Sequence, residues 1–199
     1  MKNKNSKSSL RSIMHFTVFF KEGQGNVGDG PPHRVYHLVF HPNPIWMKGE
    51  ENIEVEMRLG KHNGSLFDTN VGKDAWEKVL KGLRKYKGWE STKSTVADVY
   101  YNDANSIRIT TDEDSGEQTM VQKINVVKED FKCEPLDVRF SISREIPSFG
   151  QYEMDRKRTK TRHSFVRKNV SIDMTISSGD NVDMDSEDEA SYQIELEIS

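Results

Sequence analysis

The segment from Ile53 to Leu59 alternates strictly between apolar and charged residues, and this pattern constrains the fold more than any other feature. A β-strand has a side-chain period of two, so such a segment carries one apolar face and one charged face. Similar strand patterns recur down the chain, separated by turn signals such as Asn102-Asp103 and Ser178-Gly179-Asp180. The spacing of apolar residues predicts one helix, over about 74–86, with Gly88 just past its end.

The predicted strands follow one another with short connections, which indicates an antiparallel, mainly β (α+β) fold. They cover residues 16–20, 35–40, 53–59, 95–101, 106–111, 120–127, 138–146, 160–166, 170–176 and 192–198.

The polar faces of these strands are segregated by charge. They carry six acids and six bases: Glu54, Glu56, Glu145, Asp173, Glu195 and Glu197, with Arg58, Arg108, Lys123, Arg139, Lys160 and Arg162. If the sheet closes with these faces inward, the lumen has an acidic floor and basic walls. A β-sandwich with these faces towards solvent is the alternative, because antiparallel sheets commonly alternate in this way.

Two Glu-x-Glu pairs, Glu54 with Glu56 and Glu195 with Glu197, predict a metal site. Residues i and i+2 of a strand lie on one face, roughly 6.5–7 Å apart, so two neighbouring strands could bring four carboxylates together. Oxygen-only ligands suit Mg²⁺ or Mn²⁺. The alternative is that these glutamates are solvent-exposed and only add solubility.

The segment Arg158-Thr-Lys-Thr-Arg162 predicts an anion site, because Lys160 and Arg162 point the same way on an extended chain. Taken alone, the segment is more typical of a basic surface strand or a nuclear-import-like patch.

Composition limits the organisation of the chain. With 199 residues, 34% hydrophobic and 31% charged, and a mean hydropathy of −0.78, we expect one domain over 12–199 behind a disordered basic tail at 1–11, with an acidic loop at 177–190. No apolar stretch is long enough to cross a membrane, and residues 1–11 are polar and basic, so we do not expect secretion. Cys133 is the only cysteine, so a disulfide framework is excluded and a reducing compartment is expected.

In order along the chain, three segments resemble the metal-dependent RNA 5′-triphosphatases of mRNA capping in fungi, protozoa and large DNA viruses, which are triphosphate tunnel metalloenzymes. The segments are Ile53–Gly60, Arg158–Phe165 with Ser171–Thr175, and Tyr192–Glu197, and weaker support comes from Ser106–Ile109 and Asp137–Pro147. The resemblance implies an eight-stranded antiparallel barrel, or tunnel, with a polar lumen and a few outer helices.

The resemblance also implies roles for residues of this chain. Glu54, Glu56, Glu195 and Glu197 would hold Mg²⁺ or Mn²⁺; Arg108, Lys123, Arg139, Lys160 and Arg162 would clamp the triphosphate; Glu145 and Asp173 would position water, metal or basic side chains. Gln193 departs from the pattern, because relatives often carry a third glutamate there.

The expected reaction is hydrolysis of the γ-phosphate at the 5′-triphosphate end of RNA, with a side activity on nucleoside triphosphates. The expected partners are that RNA end, an mRNA guanylyltransferase and a second copy of the chain, at an intracellular location, either the nucleus or a viral replication site. The alternatives are a tunnel hydrolase of a small triphosphate or polyphosphate, and a non-catalytic β-sandwich interaction module.

Overall fold

A computed structural model describes residues 14–17, 37–40, 52–179 and 190–198 of the chain. The chain divides into two compact units, Met1–Glu51 and Asn52–Ser199. In the first unit, β1 (Met14–Thr17) and β2 (His37–Phe40) pair antiparallel, with Met14 opposite Phe40. The predicted strands over 16–20 and 35–40 overlap these two, and their remaining residues lie outside the described part of the chain, as do the predicted tail 1–11 and most of the acidic loop.

The second unit contains the closed barrel and one helix within its described residues. Its elements are β3 (Ile53–Asn63), β4 (Leu66–Asp68), α1 (Lys73–Lys85), β5 (Ser91–Asn102), β6 (Ile107–Asp112), β7 (Gln118–Phe131), β8 (Asp137–Pro147), β9 (Arg156–Arg167), β10 (Val170–Ser178) and β11 (Ser191–Ile198).

Eight strands close into an antiparallel ring in the order β3-β8-β7-β6-β5-β9-β10-β11, and β11 pairs back to β3. The chain forms two meanders, β5–β8 and β9–β11, and β3 joins them by pairing with β8 on one side and β11 on the other. The predicted antiparallel barrel is confirmed, and the open β-sandwich is excluded because no edge strand remains in the ring.

Helix α1 packs against the outer faces of the last three strands. Its Trp76 and Leu80 are buried with Phe165 of β9, Met174 of β10 and Ile194 of β11. The apolar residues of these strands face outward to the helix, so their alternate, charged residues face the lumen. No helix of the described residues is long and apolar enough to span a bilayer.

Strand β4 was not predicted, because three residues are too few to show an alternating pattern. It pairs with the end of β3, with Lys61 opposite Asp68. A side chain at Gly60 would meet the backbone oxygen of Asp68 and the Phe67 ring, so the close approach of β4 requires glycine there.

Candidate active site

Seven strands line one cavity inside the barrel, and six of them contribute charged side chains. The cavity has a volume of about 290 Å³ and is lined by Glu54, Glu56, Arg58, Thr95, Ala97, Val99, Arg108, Thr110, Asp112, Thr119, Lys123, Lys160, Arg162, Asp173, Glu195 and Glu197. Strand register produces this arrangement, since residues opposite each other in a ladder project from the same face. The charged strand faces therefore do look inward, as the sequence predicted.

The four glutamates of the predicted metal site lie on adjacent strands. Glu56 of β3 is directly opposite Glu197 of β11, and Glu195 is opposite Arg58. Glu54 and Glu56 also accept hydrogen bonds from the serines of β8, since Ser143 Oγ donates to Glu54 and Ser141 Oγ donates to Glu56, both at 2.9 Å. These serine contacts hold the carboxylates towards the lumen.

Two cations lie among these glutamates. Lys123 Nζ contacts Glu54 Oε2 and lies 3.6 Å from both Glu56 Oε1 and Glu145 Oε1. Arg58 bridges Glu56 Oε2 at 3.1 Å and Glu195 Oε1 at 2.9 Å. Although burial opposes its charge, the contacts with Glu195 and Glu56 hold the pKa of Arg58 above its ordinary value.

The carboxylates differ in their titration. Burial works against the charge of Glu54, but Lys123 and Ser143 hold its pKa below the ordinary value. Burial also opposes the charge of Glu195, and there Arg58 and Lys160 hold the pKa below the ordinary value. Burial, Glu54 and Asp173 together raise the pKa of Glu197. A divalent cation relieves this kind of crowding of negative charge, and a set of four carboxylates is the donor type that a hard cation prefers.

The donor set therefore fits a hard metal ion in its chemistry. In the described residues, no three His, Cys, Asp or Glu side chains are arranged closely enough to hold an ion as they stand. Lys123 and Arg58 instead neutralise Glu54, Glu56 and Glu195.

Further cations reach the cavity from β6 and β7 on one side and from β9 on the other. Arg108 NH2 donates to Glu145 Oε1 at 2.7 Å, and Arg162 NH1 lies 3.2 Å from Asp173 Oδ2. Lys160 is partly buried, and the loss of solvation lowers its pKa. Asp173 is 5% exposed and also accepts a hydrogen bond from Ser171 Oγ at 2.9 Å.

The structure brings together ten of the eleven predicted site residues. Glu145 contacts Arg108 and Lys123 from β8. Arg139 is not among the lining residues: its guanidinium donates to Asp130 at 2.7 and 2.8 Å and lies over the Phe67 ring at 4.5 Å. Gln193 also lies away from the lining residues, and its side-chain amide contacts Thr69 and Ser191.

Several lining residues had no predicted role. The strand period placed Arg58 on the same charged face as Glu54 and Glu56, but no role was predicted for it. The uncharged residues of β5, β6 and β7 carry no charge or pairing motif that would mark them in the sequence as part of a site.

Comparisons with known proteins agree with this arrangement. The sequence model of the family described as "mRNA capping enzyme, beta chain" matches residues 73–199. A search of curated protein sequences finds no match.

Two solved structures share the fold. The Schizosaccharomyces pombe RNA triphosphatase Pct1 is 19% identical over 76% of this chain and 72% of its own, with a TM-score of 0.62. The Mimivirus capping enzyme triphosphatase is 14% identical over 77% of this chain and 83% of its own, with a TM-score of 0.52. Pct1 has also been solved in complex with the Spt5 CTD, at 18% identity, over 76% of this chain and 72% of its own, with a TM-score of 0.62.

Proposed function

Because the chain belongs to the family of mRNA capping enzyme beta chains, and is thus an RNA 5′-triphosphatase, we propose that the barrel cavity is where it hydrolyses the γ-phosphate of RNA. Water adds to the γ-phosphorus, the bond to the bridging oxygen of the β-phosphate breaks, and inorganic phosphate and diphosphate-ended RNA result. The observation that carries the proposal is the convergence of four glutamates and five lysine or arginine side chains on one cavity of about 290 Å³.

The cations would bind the triphosphate. Phosphoryl transfer depends mainly on positioning and on neutralising charge over the phosphate oxygens, and little covalent chemistry is required of the protein. Lys123 and Arg108 project from one side of the cavity, and Lys160 and Arg162 project from the other. An anion between them would contact both sides at once.

Glu145 would orient the attacking water. Its Oε1 is held by Arg108 at 2.7 Å and lies 3.6 Å from Lys123 Nζ, so the carboxylate is fixed next to two phosphate-binding groups. A carboxylate in that position can accept a proton from water next to the γ-phosphate. Asp173 would position Arg162 through the contact at 3.2 Å.

Glu54, Glu56, Glu195 and Glu197 would hold Mg²⁺ or Mn²⁺, which supplies positive charge to the phosphate oxygens when bound. The family is generally metal-dependent, and the serine contacts to Glu54 and Glu56 support this ligand set. The roles of Arg139 and Gln193 stay predictions, and the pairing of Arg139 with Asp130 favours a structural role for that residue.

The diphosphate end is the substrate of guanylyl transfer, so we propose an mRNA guanylyltransferase as a partner, and a second copy of the chain as another. We further propose the nucleus or a viral replication site as the location. Cations that recognise a triphosphate and not a base would also accept nucleoside triphosphates.

The decisive experiment is release of γ-labelled phosphate from triphosphate-ended RNA in a titration of Mn²⁺ or Mg²⁺. The double variant Glu54→Ala/Glu56→Ala should release no phosphate and show no thermal shift with Mn²⁺, while circular dichroism still reports a β fold. Glu129→Ala, on an exposed position of β7, is the matched control and should behave as wild type.

Retained activity of the double variant would contradict the metal assignment. Faster cleavage of inorganic triphosphate or thiamine triphosphate than of RNA would instead favour the small-substrate hydrolase.

A further inference from the structure

The cavity has one uncharged wall. Thr95 and Ala97 of β5, Thr110 of β6 and Thr119 of β7 line it with small side chains, and we call these four residues the threonine wall. Most of the other lining residues carry a charge. The four residues therefore form an uncharged patch next to charged neighbours, since Ala97 lies in register between Asp112 and Lys160.

Strand register makes the threonine wall continuous. Thr110 lies opposite both Val99 and Thr119, and Ala97 lies opposite Lys160. Directly opposed residues have Cβ atoms about 4.5–5.5 Å apart, so these side chains form one surface that adjoins the cations of β9.

The threonine wall leads from the inside of the barrel to solvent. Val99, at its inner end, is 3% exposed, whereas residues 113–119 of the β6–β7 turn are exposed. Asp112, the acid at this outer end, accepts hydrogen bonds from the Ser115 backbone N–H at 2.8 Å and from the Ser115 hydroxyl at 2.9 Å. Its carboxylate is thus engaged by the turn.

A surface of this chemistry suits the neutral part of the substrate. Phosphates need cations, and the threonine wall offers none, but a ribose offers hydroxyls that pair with threonine hydroxyls and carbon atoms that pack on methyl groups. In RNA the nucleoside is joined directly to the α-phosphate, so it must lie beside the triphosphate site.

We propose that the threonine wall is the subsite for the 5′-terminal nucleoside of the RNA, an inference that rests on the proposed function. The nucleoside lies at the solvent end, and the β- and γ-phosphates point inward to Arg108, Lys123, Lys160 and Arg162. The wall then determines how well a nucleotide end is bound relative to a bare triphosphate.

The test compares RNA with inorganic tripolyphosphate, which has the phosphates and no nucleoside. Ala97→Leu fills the wall next to Lys160. We expect the KM for triphosphate-ended RNA to rise about tenfold or more relative to wild type. In the same variant, the inhibition constant of tripolyphosphate against RNA cleavage should stay close to its wild-type value, because tripolyphosphate has no nucleoside to contact the wall.

Thr110→Val is a second variant of nearly the same shape that removes one hydroxyl. We expect a rise in KM for RNA of about two- to tenfold, the range for one lost hydrogen bond. Thr111→Val is its matched control, because Thr111 is the next residue of β6, faces outward and accepts a hydrogen bond from the Gln118 side chain. In this control, the ratio of the KM for RNA to the inhibition constant of tripolyphosphate should equal the wild-type ratio.

Equal losses for RNA and tripolyphosphate in Ala97→Leu, or no change for RNA in Ala97→Leu and Thr110→Val, would overturn the nucleoside subsite alone. A wild-type protein that cleaves no triphosphate-ended RNA at any Mn²⁺ or Mg²⁺ concentration would overturn the proposed function, and the subsite with it.

Discussion

Lys123 is the residue that connects the two halves of the candidate site. Its ammonium contacts Glu54 and Glu56 of the predicted metal site and Glu145 of the predicted water site. An ammonium has three N–H donors and no acceptor. It donates a hydrogen bond to Glu54, and it forms ion pairs with Glu56 and Glu145 at 3.6 Å. Phosphate oxygens accept the same donors, and Lys123 can therefore exchange carboxylate contacts for phosphate contacts without leaving the cavity.

Glu145→Gln tests the water-orienting role. The amide still accepts a hydrogen bond from Arg108 but cannot take a proton, so kcat should fall about 10²- to 10⁴-fold while the KM for RNA changes little. Single-turnover phosphate release measures the chemical step. Glu129→Gln on the exposed side of β7 should match wild type, and an unchanged kcat in Glu145→Gln would remove Glu145 from the reaction.

Arg162→Lys tests whether geometry or charge alone matters at this position. Arg162 spans Asp173 at 3.2 Å and Glu195 at 3.8 Å, and a lysine ammonium cannot reproduce this fork. We expect kcat/KM for RNA to fall about 10- to 100-fold, the range for a lost charge-assisted hydrogen bond. Arg167→Lys, an exposed position at the end of β9, should leave kcat/KM unchanged, and equal kinetics in Arg162→Lys would show that one positive charge is sufficient.

Alternation along each strand was enough to place Glu54, Glu56, Lys160 and Arg162 on the charged faces of their strands. It could not show which inward residues reach the cavity. Register shifts between Asn125 and Val127, and this irregularity brings Asp130 opposite Arg139. Such a β-bulge depends on the pairing of two strands, so no pattern in either segment alone reveals it.

At the scale of elements, α1 was the most predictable part of the fold. The spacing of Trp76, Val79, Leu80 and Leu83 predicted a helix over 74–86, and the structure has it at Lys73–Lys85. Which strands it covers could not be predicted, because the apolar stripe of a helix does not identify its partner. Trp76 helps to fix the helix on β11, since its Nε1 donates to the Gln193 backbone oxygen at 3.2 Å.

Trp76→Ala should lower the free energy of unfolding by about 3–5 kcal/mol, as expected for loss of a buried aromatic side chain. Trp76 is 4% exposed and packs among the outward residues of β9, β10 and β11, so the cavity left behind would loosen the helix from the barrel. Urea unfolding followed by circular dichroism measures the change.

Glu77→Ala on the same helix is the control for this experiment. Its side chain is 59% exposed and lies 4.0 Å from Lys73, a surface pair that contributes about 0–1 kcal/mol. If the two variants unfold at the same urea concentration, α1 does not stabilise the barrel in the way that its burial indicates.

At the scale of the whole molecule, closure of the barrel is what turns separate charged faces into a site. The sequence predicted that the Glu-x-Glu strands would be neighbours only on the condition that the sheet closes. The β3–β11 pairing that meets this condition joins the two ends of the barrel chain, and local patterns carry no information about such distant pairing. The resemblance to a known family predicted the closure, because it compares the complete order of segments.

Outside the cavity, several aspartates form hydrogen bonds and ion pairs with neighbouring segments, and these contacts make the free energy of unfolding depend on pH. Hydrogen bonds from Lys157, Arg156 and Arg139 hold the pKa values of Asp98, Asp103 and Asp130, respectively, below their ordinary value. For Asp137 the lowering comes from the backbone N–H groups of His62 and Cys133, at 2.8 and 3.0 Å. Each bond favours the ionised carboxylate in the folded state.

The direction of the pH effect follows from these lowered values. Unfolded aspartate has a pKa of about 3.9, so below that pH the unfolded chain binds more protons than the folded one. The stabilisation from these groups is complete above about pH 4 and is lost as the pH falls through the folded pKa values. We expect the urea midpoint to be nearly constant just above this pH range and to fall steeply below it.

Asp137→Asn should lower the urea midpoint at pH 7 and make the decline below about pH 4 shallower, since one of the coupled protons is removed. A decline as steep as in wild type would show that Asp137, although it joins β3 to the segment before β8, does not contribute to the acid sensitivity of the barrel.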